Sequence, residues 1–403
     1  MLHRKALYWV RFILAVLYFL NTKRSLHNNN SPYSVLCVFR IYLRVVNYLS
    51  TVTSQEFRVI FRSQVTCLKG SNLIMSSFMN YHSKIALLGG AIDYAGTFPP
   101  AALSLEKALQ RAARWRRVGV HPWLMNKMVL SVGDIKKLTS SLLYQNGADG
   151  SPWLFAALGT TCQSEIASEF YKTVEWDLRE LRRCRERWFY SSVRQEVISY
   201  ETKLPVATGS TASRILDFIS PVLERTADLV STELRDLFFE ISMEGDWKST
   251  IENTAGALVQ WLVEHEELNI IPGIKIRTGG AYVPSMTQVA ETISKVTSSG
   301  LRFKATQGLH HAITRGLDLG FVNLFAALTF AQGYGREEFG VGEVEACLKE
   351  ERSANFNFET ESFAWKQFSM TCEEIEVARR SHGAAFGSCS LDEPDEDLLK
   401  EFV

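Results

Sequence analysis

Two apolar runs in the second half of the chain each carry a lysine in the middle. They read Gly273-Ile274-Lys275-Ile276-Arg277-Thr278 and Leu301-Arg302-Phe303-Lys304-Ala305-Thr306. With a period of two, Ile274 and Ile276 share one face, leaving Lys275 and Arg277 on the other. In the second run Phe303 and Ala305 share a face, and Arg302, Lys304 and Thr306 lie opposite. On neighbouring strands, about 4.8 Å apart, two ammonium groups turned into one space disfavour each other's charge. A lysine made neutral in this way attacks a carbonyl carbon and forms a Schiff base. A carboxylate such as Glu240 or Asp93 would then move protons, and Arg277, one pleat beyond Lys275, suits a substrate carboxylate or phosphate. Thr278, the Gly279 backbone, Thr306 and Glu201 complete this set of candidate binding groups.

Two other chemistries compete with that one. His310 and His311 follow the second lysine run, and either could act as a general base or metal ligand beside Asp93, Glu201 or Glu240. That would make a metal-assisted hydrolase or isomerase. Alternatively each lysine is tied up by a carboxylate, Lys275 by Glu240 for example, and the interior is a salt-bridge network inside a non-catalytic binding module. Cys389 is a lone thiol near the end of the chain, and no resident metal or organic cofactor is expected.

These side chains need a frame that points them at one another. Short apolar runs at 85–93, 127–132, 152–158, 196–201, 236–242, 273–278, 301–306 and 321–325 alternate with amphipathic stretches. Helices are expected over 104–118, 134–143, 165–189, 212–227, 250–267 and 285–299, with Ser104 as an N-cap. Strands that alternate with helices pair in parallel, and eight such units close a (β/α)₈ TIM-type barrel. The expected barrel covers 79–335, followed over 336–403 by C-terminal helices (340–351 and 363–381) and an acidic tail packed on it. In a barrel, alternate strand residues point inward and active sites sit at the strands' C-terminal ends. Glu240 and Ser242, Ser199 and Glu201, and Asp93 all fall there.

Composition separates the N-terminal segment from the rest. Residues 1–74 contain ten Lys or Arg and one acid, Glu56, which leaves 34 basic against 43 acidic residues in 75–403. The segment shows no sustained periodicity, so residues 1–78 are expected to be a leader outside the fold. It is either a mis-assigned start, with translation beginning at Met75 or Met79, or a signal anchor or an organelle transit peptide. The seven cysteines are scattered and include no CxxC, which argues against a disulfide scaffold or zinc site and for a reducing, cytoplasmic setting. No basic aromatic patch points to nucleic acid, and residues 79–403 carry no expected membrane segment. The implied partner is a small molecule.

Two stretches resemble a known family. Lys275-Ile276-Arg277-Thr278-Gly279 has the K-x-x-T-G spacing of the Schiff-base strand in deoxyribose-phosphate aldolases. Lys304-Ala305-Thr306-Gln307-Gly308-Leu309 resembles the strand that carries the second lysine of that family. The resemblance covers roughly 273–311 and implies that Lys275 forms the imine while Lys304 lowers its pKa. Where that family has an aspartate in a middle strand, Glu201 stands only near the expected place. Its final G-x-S phosphate turn has no counterpart at 320–325, and Arg277 is foreign to it. A broader resemblance, through Ile92–Ala101 (IDYAGTFPPA), KIRTGG, FKATQGLHH and FGSCSLDEP (386–394), is to a family of uncharacterised bacterial proteins. The resulting expectation is a lysine-dependent, aldolase-like carbon–carbon lyase acting on a small anionic carbonyl compound.

Overall fold

Most of the period-two runs become strands and most of the amphipathic runs become helices. The computed structural model describes residues 81–403, apart from 147–150, 192, 230–235, 266–269, 384 and 403. The leader expected over 1–78 lies outside the described residues. The order is α1 (Tyr81–Leu88), β1 (Ile92–Tyr94), α2 (Leu105–Val118), β2 (Met125–Ser131), α3 (Val132–Ile135), α4 (Ser140–Asn146) and β3 (Trp153–Leu158). It continues through α5 (Ala167–Trp188), β4 (Gln195–Lys203), α6 (Ala212–Leu229), β5 (Asp236–Glu240), α7 (Trp247–Glu264), β6 (Ile271–Arg277), α8 (Met286–Ser298) and β7 (Arg302–Thr306). Then come α9 (Phe321–Glu338), α10 (Val341–Leu348), the antiparallel strands β8 (Phe356–Phe358), β9 (Ser362–Trp365) and β10 (Phe368–Thr371), α11 (Cys372–His382), β11 (Ala385–Ser388) and α12 (Asp392–Glu401).

Eight parallel strands close a barrel in the order β1-β11-β7-β6-β5-β4-β3-β2, wrapped by helices. This is a TIM-type barrel with an additional helix after its last strand. The outward faces of the strands make the main core. Ile274, Ile276, Phe303, Ala305, Leu237, Phe239 and Tyr200 are all fully buried there. Burying a side chain of this size stabilises by about 1.5–3 kcal/mol, so the apolar half of each alternation fixes which half must face the axis. Caps help to set the helix starts. Ser104 accepts from Lys107 N at 3.4 Å, and Ser285 and Gln288 form a reciprocal capping box at the start of α8.

Three expectations fail at the C-terminal side. The run 321–325 is not the eighth strand but the first turn of α9, whose residues Phe321 to Ala331 are all buried. Enclosed by α1, α8, α10 and α11, that helix has no polar face, and a short apolar window of it reads like a buried strand. The true eighth strand is β11, within the segment expected to be peripheral, so the barrel closes at residue 388. The expected helix over 363–381 begins as β9 and β10; only Cys372–His382 is helical, started by a Thr371–Glu374 capping box. At the other end, 85–88 belongs to α1, and the first strand is just Ile92–Tyr94.

Candidate active site in the barrel interior

Strand register decides which polar residues meet. Lys275 is opposite Lys304, Glu240 is opposite Lys275, Lys203 is opposite Glu240, and Asp93 is opposite Lys127. Two inward positions near these groups are glycines. A Cβ on Gly273 would lie 2.5 Å from the ring of Phe238. One on Gly387 would lie 2.7 Å from Thr306 Oγ1, so β11 leaves room for its neighbour by lacking a side chain. Behind β4, Tyr200 donates to Asp177 Oδ2 at 2.9 Å, and Asp177 also accepts from the Thr160 amide and hydroxyl at 2.7 and 2.8 Å. That tether fixes the outward face of β4 and with it the inward aim of Glu201.

From the N-terminal end of the strands to the mouth, the charged side chains form one alternating line. Arg302 at the start of β7 pairs with Asp236 at the start of β5. Lys127 Nζ on β2 lies 3.8 Å from Asp236 Oδ2 and 3.3 Å from Asp93 Oδ2. Lys304 donates to Asp93 Oδ2 and, at 2.5 Å, to Glu201 Oε1. Lys275 Nζ lies 3.0 Å from Glu201 Oε2 and 3.0 Å from Glu240 Oε2. Arg277 closes the line, donating through Nε to Glu240 Oε1 at 2.8 Å. Asn126 adds a hydrogen bond to Asp93 Oδ1 at 3.0 Å. Every lysine and carboxylate from Lys127 to Glu240 is buried, whereas the Arg277 side chain is 53% exposed at the mouth.

The lysines are not held alike. Lys304 makes two aligned hydrogen bonds to carboxylates. Glu201 Oε2 accepts no hydrogen bond from any described residue, although Lys275 Nζ is 3.0 Å away. The Lys275 contact is therefore charge against charge, without the directional bond that pins Lys304.

Burial and pairing compete at each group. Burial would raise Glu201, but Lys304 and Lys275 outweigh it and bring its carboxyl from 4.5 down to about 2. Burial also opposes the lowering of Glu240, which Lys275 and Arg277 carry below the usual carboxylate range. Lys304 is raised: burial works against its charge, and Asp93 and Glu201 more than restore it. Lys127 goes the other way, because burial lowers it by more than Asp93 returns. The sequence suggested that the two inward lysines press on each other directly; instead the Glu201 carboxylate lies between them, and Lys304 is held firmly as the ammonium ion.

The remaining candidates sit at the rim. Thr278 donates its hydroxyl to Gln307 O at 2.5 Å and its amide to Thr306 O at 2.9 Å, so it ties the loop after β6 to the loop after β7. Gly279 allows that closeness, since a Cβ there would meet Gly308 N at 2.8 Å. Thr306 ends β7 beside Gly387. His310 and His311 stay away from the interior line. His310 Nδ1 is 2.9 Å from Glu393 Oε2, and His311 Nδ1 is 2.9 Å from Arg315 Nη1 and 3.7 Å from Asp397 Oδ2. Both are spent on α12 and its surroundings. Among the described residues no group of three or more His, Cys, Asp or Glu is arranged to hold a metal ion. Cys389 is half-buried, and burial raises its thiol, which keeps it from being a ready thiolate.

The structure thus brings Asp93, Glu201, Glu240, Lys275, Arg277 and Lys304 together and leaves the histidines out. Lys127, Asp236 and Asn126 were not singled out from sequence. Lys127 had a usable signal, a lysine inside the apolar run Met125-Asn126-Lys127-Met128-Val129-Leu130, whereas Asp236 reads as an ordinary strand boundary. A buried cluster of ionised groups beneath the C-terminal face is the kind of arrangement barrel enzymes use as active sites. No helix among the described residues is long and apolar enough to cross a membrane. No protein-family model matches the chain, and no curated protein matches it.

Proposed function

We propose that the chain is a lysine-dependent, aldolase-like carbon–carbon lyase that acts on a small carbonyl compound with an anionic group. The observation that carries this reading is the pair Lys275 and Lys304, in register on adjacent strands, with Glu201 between them and Lys275 nearer the mouth. Lys275 is the nucleophile: its ammonium lacks the aligned hydrogen bonds that hold Lys304, and it lies next to the half-exposed Arg277. Once Lys275 has lost a proton, its amine adds to the substrate carbonyl and water leaves, giving a protonated imine. The protonated imine draws in the electrons of the bond between the α- and β-carbons as that bond breaks; the β-hydroxyl loses its proton to become a carbonyl, and the enamine left on Lys275 takes a proton at the α-carbon before water releases it. Glu240, in contact with both Lys275 and Arg277, is placed to exchange the protons these steps require. Arg277 uses only Nε on Glu240, leaving its two terminal nitrogens to a carboxylate or phosphate.

The resemblance to deoxyribose-phosphate aldolases supports the same roles. It implies a carboxylate from a middle strand beside the second lysine, and Glu201 of β4 touches both lysines. The turn that closes that family's last strand is to be sought after β11 rather than at 320–325. There the chain reads Gly387-Ser388-Cys389-Ser390, rich in glycine and serine though not a strict G-x-S.

One observation favours a second reading, a non-catalytic barrel whose interior is a structural ion network: each inward lysine lies within 4 Å of two carboxylates. Incubation with a panel of small aldehydes, keto acids and cell extract, followed by borohydride and intact mass measurement, separates the two. A stable mass gain that disappears in Lys275→Ala supports the lyase, and its size points to the substrate. No gain across the panel and the extract leaves the network reading in its place.

A further inference from the structure

Outside the barrel, one stripe of α5 carries polar chemistry that the interior does not use. Trp176, Glu180, Arg183, Cys184 and Arg187 recur every three or four residues, which puts them on one face of the helix. Lys136, just after α3, meets that face, and a cavity of about 550 Å³ is lined by Lys136, Glu180, Arg183, Cys184, Glu186 and Arg187. The volume falls in the range of roughly 300–1,000 Å³ usual for small-molecule sites. Each cation of the lining is pinned by the protein. Glu180, whose side chain is 9% exposed, holds Lys136 Nζ at 2.8 Å through Oε2 and Arg183 Nη1 at 2.5 Å through Oε1. Arg187 donates through Nη2 to the Lys136 carbonyl and to Cys184 Sγ, both at 3.1 Å. Lys136 Nζ also lies 4.8 Å from the ring centre of the part-exposed Trp176. Burial raises the Cys184 thiol, so its sulfur is an acceptor here and not a ready nucleophile.

The pins leave a set of donors over. Arg183 keeps Nε and Nη2, Arg187 keeps Nε and Nη1, and Lys136 keeps the N–H groups that do not reach Glu180. Arg187 has no carboxylate partner among the described residues, and Glu186, the other acid of the lining, accepts from Arg182 at 3.1 Å. Donors from three fixed cations around one cavity suit an oxyanion with several oxygens. A phosphate monoester brings three terminal oxygens and about two negative charges. We infer that the cavity between α5 and the segment after α3 binds a phosphate monoester, its phosphoryl oxygens on Lys136, Arg183 and Arg187 and its esterified group toward Trp176. Because Glu180, Cys184 and the Lys136 carbonyl already hold these cations, binding does not have to order them, which removes part of the entropic cost. The guanidinium groups match phosphate oxygens in pairs, and the lysine adds a point charge. The site shares no residue with the interior ion line, so it does not depend on the lyase reading.

Equilibrium dialysis of the full chain against labelled inorganic phosphate, glucose 6-phosphate and adenosine monophosphate tests the inference. At least one ester is expected to bind at one site about tenfold or more tightly than inorganic phosphate, because only an ester fills the cavity. A preference for the nucleotide places its base against Trp176, whereas equal binding of both esters makes phosphate and sugar sufficient; either result supports the site. Lys136→Gln and Arg187→Gln should each weaken the ester by about tenfold or more. Lys136→Gln leaves Glu180 with Arg183, and Arg187 lies at the surface, so both proteins are expected to fold; should one fail, the other decides. Arg179→Gln removes one charge from the same helix outside the lining and should leave the affinity within about twofold. Arg277→Gln separates this site from the barrel mouth: ester binding that persists there and falls in Arg187→Gln belongs to α5. Four results overturn the inference. They are inorganic phosphate retained as tightly as either ester, no probe retained at all, a loss in Arg179→Gln as large as in Arg187→Gln, and binding abolished by Arg277→Gln but untouched by Arg187→Gln.

Discussion

The two ends of the interior ion line are built from the same chemistry and face different surroundings. At the mouth, Arg277 is half exposed and its partner Glu240 is shared with Lys275, whose own contacts are close but unaligned. Toward the N-terminal end, Lys304 is clamped by two hydrogen-bonded carboxylates, and Arg302 is paired with Asp236 against the chain at Gly383. A buried ion pair adds little net stability because desolvation cancels most of the attraction, but removing one partner strands the other at high cost. The lower part of the line is therefore committed to the fold. In the proposed function, the lysine and the arginine of the upper part exchange their protein partners for a substrate.

The largest effect should come from the mouth and fall on activity alone. Lys275→Met leaves Glu201 with Lys304 and Glu240 with Arg277, so each carboxylate keeps a cation. Turnover of whatever substrate the trapping experiment identifies is expected to fall by roughly 10⁴-fold or more, with the urea midpoint nearly unchanged. A variant that unfolds as readily as it loses activity would erase the distinction between the two ends.

Lys304→Met strikes the lower part. It leaves Asp93 and Glu201 buried with weakened compensation, and a loss of about 3–5 kcal/mol in urea unfolding is expected. Adding Asp93→Asn should return part of that loss, since the stranded charge goes with it; a double variant no more stable than the single one would argue against charge stranding as the cause.

Acid should act through Glu201. Its folded pKa lies below its ordinary value, so its stabilisation is complete above 4.5 and is lost as pH falls toward about 2. The size is on the order of 3 kcal/mol. Glu201→Gln should flatten the pH dependence of the unfolding free energy in that window, and an unchanged slope would remove Glu201 from the account. The smallest effect belongs to Arg277→Gln. The predicted outcome is a KM raised about tenfold for an anionic substrate, equivalent to about 1.4 kcal/mol, with stability barely altered because the side chain is half exposed.

Much of this arrangement is legible in the sequence. The alternation in 273–278 and 301–306 reads directly, because aliphatic residues on one parity leave Lys275, Arg277, Arg302 and Lys304 nowhere to go but the axis. The eight-unit barrel followed from the same logic. Its last strand did not, because β11 is four residues long and owes its interior face to Ala385 and Gly387, which leave no polar signature. Helix α9 misled for the opposite reason: buried on every side over its first eleven residues, it lacks the polar stripe that marks a helix. Within the site, Glu201 was placed near its role, but its position between the two lysines depends on the register of β4 against β5, which no local pattern encodes. His310 and His311 looked chemical because histidine is chemical, yet they serve α12.

If the proposed function holds, the mouth lysine reacts and the clamped lysine does not. The most direct measurement is a peptide map of wild-type protein trapped with borohydride after exposure to the carbonyl panel, comparing adduct at Lys275 with adduct at Lys304 in the same molecule. Modification is expected at Lys275 alone among the interior lysines. Adduct on Lys304, or adduct spread evenly over the interior lysines, would overturn the assignment of Lys275 as the nucleophile.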